Sequence, residues 1–248
     1  MIKLSAVIIT FNEERNIARC IDSLSGLAEE ILVIDSFSTD KTREICQLKG
    51  AKVIQNKFEG HIQQKNFALQ QANNEWVISL DADEALSDEL KKSITVILQS
   101  PTQKGYRFNR LTNYCGKWVR FCGWYPDTKL RLVNRHHARW QGVNPHDRLD
   151  VTDGSSVGFL QGDLLHYSYY TKEDHYKQIE YFGRIAANEA FKNGKRVNFS
   201  TLLGKVIAQF IKSYFLKLGV FDGLTGLKIS YRSAYATYRK YQMLSQLK

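Results

Sequence analysis

Short apolar runs alternate with helical patterns through the first hundred residues of this chain. The strand-like runs occupy residues 4–10, 30–34, 51–55 and 75–80. Apolar residues at helical spacing fill the intervals and predict helices over residues 13–24, from about residue 38, over 62–72 and over 87–98. Strands and helices that alternate at these lengths form parallel βαβ units. The sequence therefore predicts an α/β fold in which helices flank a doubly wound, mostly parallel sheet.

The composition indicates an ordinary globular protein. Of its 248 residues, 43% are hydrophobic and 24% are charged, which is enough apolar material for one large α/β domain with an appendage. The 4 cysteines show neither Cys-x-x-Cys pairs nor a zinc-finger spacing. No secretory signal is evident, and no uncharged apolar stretch reaches the roughly 18 residues of a membrane span. We therefore expect a cytoplasmic protein with reduced thiols.

The net charge of +10 is confined to the C-terminal part of the chain. Residues 192–248 contain eleven lysines and arginines and one acidic residue, Asp222, whereas residues 1–191 carry equal numbers of basic and acidic residues. A helix is predicted over residues 167–190, and Asn193-Gly194-Lys195 marks a boundary after it. We predict a first domain over residues 1–191 and a basic, amphipathic helical extension over residues 192–248.

Apolar residues recur at helical spacing from Leu202 to Leu218, and Lys205, Gln209 and Lys212 lie on the opposite face. An amphipathic helix with a cationic face is suited to an anionic membrane surface, where each basic residue contributes about 1 kcal/mol. The alternatives are a helix packed on the rest of the chain and a helix that forms a homo-oligomer. The one-sided charge favours the membrane.

Two aspartates, Asp81 and Asp83, follow the fourth strand-like run directly. Alternate residues of extended chain point the same way, and open α/β sheets bind ligands at the carboxyl ends of their strands. Two carboxylates that face one spot suit a hard divalent cation that also holds a phosphate. The alternative is that Asp83 or Ser87 caps the following helix.

No glycine-rich phosphate loop follows the first strand, which disfavours a dinucleotide fingerprint and a P-loop. Asp35 ends the second strand, where its carboxylate could accept hydrogen bonds from a base or a ribose hydroxyl, or could cap the next helix. Lys65 lies on the helix before the fourth strand. It could reach a diphosphate, or it could remain a solvated surface lysine.

Four motifs occur in order along the first hundred residues, namely Thr10-Phe11-Asn12-Glu13-Glu14, Asp35-Ser36-Phe37-Ser38-Thr39-Asp40, Gln64-Lys65-Asn66 and Asp81-Ala82-Asp83-Glu84. Together they resemble the inverting glycosyltransferases of the Rossmann-like GT-A fold, glycosyltransferase family two. Four later motifs are similar to the lipopolysaccharide core β-glucosyltransferase branch. They are Gly123-Trp124-Tyr125-Pro126-Asp127, Arg131-Leu132, Asn144-Pro145-His146-Asp147 and Gly162-Asp163-Leu164-Leu165-His166.

The resemblance implies roles for residues on the donor side. Four residues would hold the uracil and ribose of a UDP-sugar with help from Lys65, namely Thr10, Phe11, Glu13 and Asp35. Asp81 would contact the ribose or the sugar, and Asp83 would ligate Mg²⁺ or Mn²⁺ between the diphosphate oxygens. His166 would be a further metal ligand, or alternatively a hydrogen-bonded core histidine.

The resemblance also implies roles on the acceptor side. Asp147 would be the general base that an inverting displacement requires, although relatives often carry His-Glu where this chain has the shorter Asp147, and Asp127 is the second candidate. Trp124 and Tyr125 would stack on a sugar ring, or belong to the core. Arg131 would pair with a phosphate of either substrate, or form a surface ion pair.

The predicted function is the metal-dependent, inverting transfer of a sugar onto a lipopolysaccharide inner-core sugar such as heptose. The donor implied by the resemblance is UDP-glucose, and the partners are a lipid-linked saccharide acceptor and an anionic membrane surface. We expect a peripheral protein on the inner face of the bacterial inner membrane. The alternatives are a polyprenyl-phosphate acceptor and a non-catalytic sugar-nucleotide binder. Nucleic-acid binding is disfavoured because no nucleic-acid module accompanies the basic tail.

Overall fold

Four parallel strands form the first half of the sheet, as the alternation predicts. In the computed structural model, which describes residues 2–143, 146–196 and 199–247, they are β1 (Leu4–Thr10), β2 (Glu30–Asp35), β3 (Lys52–Gln55) and β4 (Trp76–Asp81). Their order is β3-β2-β1-β4, and all three pairings are parallel. The carboxyl ends of β1, β2 and β4 therefore meet at one edge.

The four intervening helices are α1 (Ile17–Leu24), α2 (Thr42–Leu48), α3 (His61–Gln71) and α4 (Asp88–Ile97). The predicted start of the first helix at residue 13 was wrong. The backbone N–H groups of Glu13 and Glu14 donate to Thr42 Oγ1 (2.8 Å) and Asp40 Oδ2 (3.1 Å), and these bonds hold the segment as a turn. Ser87 caps α4 by accepting from Leu90 N at 3.2 Å, as one of the sequence alternatives proposed.

Antiparallel strands continue the sheet beyond β4. They are β5 (Glu84–Leu86), β6 (Gly105–Tyr114), β7 (Lys117–Val119), β8 (Asp127–Asn134) and β11 (Gly158–Tyr169). In the described part of the chain, the full order is β3-β2-β1-β4-β8-β6-β11-β5, with β7 on β6. A separate hairpin consists of β9 (Ala138–Val143) and β10 (His146–Val151). Asn144 and Pro145 and the side chain of His146 lie outside the described residues.

Buried side chains cover both faces of the parallel strands. One cluster joins Leu4, Ala6 and Ile8 of β1 to α1 and α4, and the other joins Val7 of β1 to α3 and to Trp140 of β9. Strands that are buried on both faces read as nearly continuous apolar runs, which is the pattern in the sequence. The α/β, doubly wound fold is thus confirmed.

The chain divides into two compact units. The first comprises Met1–Arg110 and Asp127–His166, and the second comprises Leu111–Pro126 and Tyr167–Lys248. The predicted division into a first domain over residues 1–191 and a basic helical extension over residues 192–248 stays a prediction.

Helix α5 (Lys172–Lys192) belongs to the second unit and starts later than the predicted residue 167. The reason is that the preceding residues through Tyr169 belong to β11. A capping box between Thr171 and Asp174 then fixes the start of α5.

The second unit ends with α6 (Phe199–Ile211), a π-helical turn (Lys212–Leu216), a short 3₁₀ turn (Gly219–Asp222) and α7 (Gly223–Gln246). The predicted uninterrupted helical stripe through residue 218 was wrong, because Leu218 adopts a left-handed conformation at φ 55°. The turn is tight at Gly226, where a Cβ atom would lie 1.8 Å from the carbonyl oxygen of Gly219. Among the described residues, no helix has the length and apolar character that crossing a bilayer requires.

Candidate active site

The loops that follow β1 and β2 are hydrogen-bonded to each other. Asn12, in a left-handed conformation at φ 54°, donates its N–H to Ser38 Oγ (2.9 Å) and accepts from Thr39 N (2.8 Å). Asp35 is fully buried and accepts from both the N–H (3.0 Å) and the hydroxyl of Ser38. Ser38 precedes α2, whose N-cap is Lys41 and makes no side-chain cap bond, so Asp35 closes a turn in the loop and does not cap the helix. Its role toward a nucleoside stays a prediction.

Thr10 and Phe11, two of the predicted donor-site residues, lie at the end of β1. Thr10 Oγ1 is buried and has no hydrogen-bond partner among the described residues. Phe11 is 57% exposed, which is unusual for a phenyl ring. A hydroxyl and a flat apolar face are therefore available at the edge where the resemblance places a nucleoside.

Glu13 is a half-buried carboxyl on the same loop. Burial raises its pKa to about 7, and the negative charges of Asp83, Asp40 and Asp81 add to the rise, whereas a hydrogen bond from Asn16 opposes it. Asn16 Nδ2 donates to Glu13 Oε2 at 2.7 Å. A carboxyl with this pKa exchanges its proton near neutral pH, so the local charge depends on pH.

We expect Glu13→Gln to stabilise the metal-free protein at alkaline pH. The pKa of this carboxyl is higher in the folded state (about 7) than the ordinary value of 4.5, so the folded state binds the proton more tightly. Its contribution to stability is therefore lost as the pH rises through this window. The variant's gain in free energy of unfolding over the native protein should be roughly 2 kcal/mol larger at about pH 8 than at about pH 5.

Urea unfolding in EDTA at the two pH values measures this gain. Glu59→Gln, at an exposed carboxylate, is the matched control and should show a pH-independent difference from the native protein. A Glu13→Gln gain that is the same at both pH values would contradict the raised pKa.

Lys65 is the centre of a buried ion cluster, not the solvated surface lysine of the alternative interpretation. It is 5% exposed, and its ammonium lies 2.8 Å from Asp147 Oδ2, 3.1 Å from Asp81 Oδ1 and 4.3 Å from the centre of the Trp140 ring. The contact with Asp81 Oδ1 is an ion pair without hydrogen-bond geometry. One cation from α3 thus bridges a carboxylate at the end of β4 and a carboxylate on β10.

Arg131 extends this cluster on β8. Its Nη2 lies 3.2 Å from Asp81 Oδ2 and 3.2 Å from Glu84 Oε1, and its guanidinium lies 4.9 Å from the Trp140 ring centre. Arg131 is therefore buried and not in the surface ion pair that was the alternative. Glu84, which is also buried, additionally accepts from Arg110 at 3.4 Å and from Asp81 N at 3.0 Å.

The two cations fix the charge of Asp81. Burial alone would raise the pKa of this carboxyl, but Lys65 and Arg131 outweigh burial and hold it well below its usual range. Glu84 and Asp81 in turn outweigh burial and raise the pKa of Arg131 above that of a free guanidinium. Because Asp81 is ionised throughout the working pH range, it can only accept hydrogen bonds, for instance from sugar hydroxyls.

Asp127, the second candidate base, lies between two cations. Arg110 Nη2 is 2.8 Å from its Oδ2, and Lys129 Nζ is 2.9 Å from its Oδ1. Despite partial burial, these partners lower its pKa. Both oxygens of Asp127 are engaged, whereas Oδ1 of Asp147 accepts no hydrogen bond from a described residue and is available to take a proton.

Asp83 and His166, the two predicted metal ligands, lie next to each other. His166 Nε2 is 3.2 Å from Asp83 Oδ2, and both side chains are partly exposed. One imidazole and one carboxylate form a donor set that Mn²⁺ accepts, and Mg²⁺ is commonly held by one or two carboxylates together with substrate phosphates. The described residues contain no group of three metal-binding side chains. The pair therefore fits a divalent ion that would take its remaining ligands from phosphate oxygens and water.

Trp124 and Tyr125 lie in the second compact unit. Trp124 packs with Tyr114, Tyr169 and His175, whose ring centres are 5.7, 5.4 and 5.9 Å from its own. The Arg120 guanidinium lies 5.2 Å from the Tyr125 ring centre. Packing in an aromatic cluster agrees with the core alternative for Trp124, and sugar stacking by these residues stays a prediction.

A pocket of about 650 Å³ opens beside Asp147 in the first unit. Its polar lining includes Asp147, Arg131 and Arg110, and its apolar lining includes Leu130 and Leu149. This volume lies within the range of small-molecule sites. The pocket therefore joins the candidate base to a space that a sugar can fill.

Sequence reasoning assigned no role to Glu84, Arg110 or Trp140. Glu84 stands next to the Asp81-Ala82-Asp83 triplet, so its position was a usable signal. Arg110 pairs in register with Asp127 across β6 and β8, and Trp140 is held by reciprocal hydrogen bonds with Asn66. These contacts join residues that are far apart in the sequence, so no local sequence pattern predicts them.

The sheet has a parallel half continued by antiparallel strands, with carboxylates at the ends of β2 and β4, as expected for the GT-A fold of glycosyltransferases. The chain belongs to glycosyl transferase family 2, whose family profile matches residues 5–109. An uncharacterized glycosyltransferase of Rickettsia typhi is 32% identical over 257 residues, which cover 100% of this chain and 88% of the relative.

Two further relatives lie at greater distance. The lipopolysaccharide core biosynthesis glycosyltransferase LpsC of Rhizobium meliloti is 27% identical, over 97% of this chain and 93% of LpsC. The crystal structure of residues 1–349 of TarS from S. aureus superimposes with a TM-score of 0.50 at 15% identity, over 99% of this chain and 90% of that one. The latter likeness concerns the fold alone.

Proposed function

We propose that this glycosyltransferase moves a sugar from a UDP-sugar onto a lipopolysaccharide inner-core sugar such as heptose, with inversion at the anomeric carbon. The observation that carries the proposal is the Lys65 bridge, which joins Asp81 on the donor side to Asp147 on the acceptor side. The likeness to LpsC over nearly the whole chain supports the lipopolysaccharide acceptor. UDP-glucose is the proposed donor, as the resemblance of the sequence motifs implies.

The proposed reaction is a single in-line displacement. The acceptor hydroxyl oxygen forms a bond to the anomeric carbon while the bond from that carbon to the UDP oxygen breaks. Asp147 Oδ1 takes the hydroxyl proton, and UDP leaves with the bonding electron pair. Lys65 holds Asp147 Oδ2 at 2.8 Å, which fixes the direction of the free oxygen.

On the donor side, Thr10, Phe11, Glu13 and Asp35 would bind the nucleoside, and Asp81 would accept from a hydroxyl of the ribose or the sugar. Asp83 and His166 would hold a divalent ion. When bound, Mg²⁺ or Mn²⁺ would act as a Lewis acid that neutralises charge on the departing diphosphate. Arg131 keeps Asp81 ionised and in place.

The test is a panel of UDP-sugars offered with truncated lipopolysaccharide and, separately, with polyprenyl phosphate, while UDP release and product stereochemistry are followed. The expected result is transfer from UDP-glucose to the lipopolysaccharide with inversion. Transfer to polyprenyl phosphate and not to lipopolysaccharide would identify polyprenyl phosphate as the acceptor. UDP binding without turnover on any acceptor would instead identify a sugar-nucleotide binder.

The C-terminal helices support a peripheral membrane location. Along α6, Leu202, Val206 and Phe210 are half-buried, whereas Leu203 and Ile207 are exposed. Apolar side chains are also exposed between α6 and the start of α7, namely those of Leu216, Leu218, Val220, Phe221 and Leu224. Three exposed lysines accompany these apolar residues, namely Lys205, Lys212 and Lys217. Apolar side chains among lysines suit insertion into an anionic bilayer.

We expect the protein to bind vesicles that contain phosphatidylglycerol and to be released by high salt, since screening weakens the lysine contribution. Leu216→Asn combined with Leu224→Asn should weaken the binding by roughly tenfold or more, because two exposed leucines lose their burial in lipid. Vesicle co-sedimentation measures this effect.

Leu48→Asn is the matched control for vesicle binding, since Leu48 is equally exposed but lies in the first unit. The control should bind vesicles as the native protein does. Equal binding by the double variant would contradict insertion of the turn.

A further inference from the structure

The pocket beside Asp147 has a strongly cationic wall. Among its lining residues are five basic side chains, Arg107, Arg110, Lys129, Arg131 and Arg148, against two acidic ones, Asp147 and Asp150. Neutral sugars need hydrogen-bonding and apolar groups, and they do not need a surplus of positive charge. The charge of the lining therefore requires its own explanation.

The five cations fall into two groups. Arg110 and Arg131 are engaged by buried or half-buried acids, so their charges are already balanced. Arg107, Lys129 and Arg148 are more exposed, and the side chain of Arg107 makes no ion pair or hydrogen bond with any described residue. Lys129 pairs with Asp127, and Arg148 pairs with Asp150. Exposed pairs of this kind contribute little to stability, so a ligand can compete for their cations.

Two buried donors add an independent observation. Arg131 Nε and Trp140 Nε1 have no acceptor among the described residues, and both side chains line the pocket. Buried N–H groups without acceptors are rare in folded proteins and call for a partner. A ligand rich in oxygen acceptors would match this wall.

The uncharged lining has a polar part, formed by Thr128, Gln141 and Ser155, and an apolar part. Leu130, Leu149, Val151 and Val157 contribute hydrocarbon surface, which suits the C–H faces of a sugar ring. The cationic wall and the apolar wall lie in one cavity of about 650 Å³ that also contains the candidate base Asp147.

We propose that this pocket binds an acceptor sugar carrying an anionic group, a phosphate monoester, with Arg107 and Arg148 as its main cationic contacts. Guanidinium groups bind phosphate through paired, charge-assisted hydrogen bonds, which favours this group over a neutral hydroxyl. The inference rests on the proposed function, because it places the anionic sugar where the glycosyl acceptor must lie. It adds a class of acceptor to that function: one phosphorylated close to the reacting hydroxyl.

The first test measures binding without turnover. With UDP present to fill the donor site, calorimetry should detect binding of glucose 6-phosphate and much weaker binding of glucose. Arg107→Gln should weaken binding of the phosphate ester by roughly tenfold and leave the affinity for UDP unchanged. Lys104→Gln removes an exposed charge that does not line the pocket, and it should change neither affinity.

The second test uses the reaction. Truncated lipopolysaccharide and the same material after removal of its phosphates are compared as acceptors. The native protein should show a KM roughly tenfold lower for the phosphorylated acceptor, and Arg107→Gln should abolish that difference while keeping kcat on the dephosphorylated one. Equal KM values for the native protein, or equal binding of glucose and its phosphate, would overturn the inference. Failure of transfer with both acceptors would instead count against the proposed function, and the binding test would still decide the inference.

Discussion

Replacement of Asp147 by Asn is expected to lower kcat by about a thousandfold, because the amide cannot take the proton from the acceptor hydroxyl. The KM for the donor should change little, since Asp81 keeps both of its cationic partners, Lys65 and Arg131. The measurement is steady-state UDP release with the acceptor found in the donor panel, together with UDP affinity by calorimetry.

Two companion variants sharpen this experiment. Asp147→Glu keeps a carboxylate and should recover most of the lost rate. Asp127→Asn tests the second candidate base. If that variant loses the larger share of kcat and Asp147→Asn remains active, the base assignment must move to Asp127.

Replacement of Asp83 by Ala is expected to remove the dependence of transfer on added metal and to lower kcat/KM by about a thousandfold. The reason is that the diphosphate loses the neutralising ion, a loss of several kcal/mol in the transition state. The fold should survive, because the side chains of Asp83 and of its neighbour His166 are both partly exposed.

A direct readout separates metal binding from catalysis in the Asp83 variant. Electron paramagnetic resonance of Mn²⁺ in the presence of UDP should show tight binding to the native protein and much weaker binding to Asp83→Ala. Asp88→Ala removes a nearby exposed carboxylate and should bind Mn²⁺ as the native protein does. Metal-stimulated turnover that persists in Asp83→Ala would remove this residue from the metal site.

Local sequence pattern was sufficient for the parallel half of the sheet. The apolar run before Asp81 and the strand that ends in Asp35 are features of a few consecutive residues, and the structure has both. The pairing of Asp83 with His166 followed only from the family resemblance. Helix starts were less predictable, since the turn after β1 depends on acceptors supplied by Asp40 and Thr42.

The ion cluster around Lys65 and Arg131 could not be predicted from local sequence pattern. Lys65 and Asp147 are 82 residues apart, and Arg131 reaches Glu84 across 47 residues. Sequence spacing carries no information about such contacts, because antiparallel strands and the β9–β10 hairpin bring them together in space. For the same reason, the alternatives for Lys65 and Arg131 were surface positions, whereas both side chains are buried.

Asp81 and Asp147 share the ammonium of Lys65, so substitutions at these three positions are epistatic. Loss of Lys65 would remove the ammonium that both carboxylates share and would leave Asp81 with Arg131 as its remaining cationic partner among the described residues. The effects of single substitutions in this trio will not add, so only double-mutant cycles can apportion them. A redesign of donor or acceptor preference must therefore exchange the three residues together.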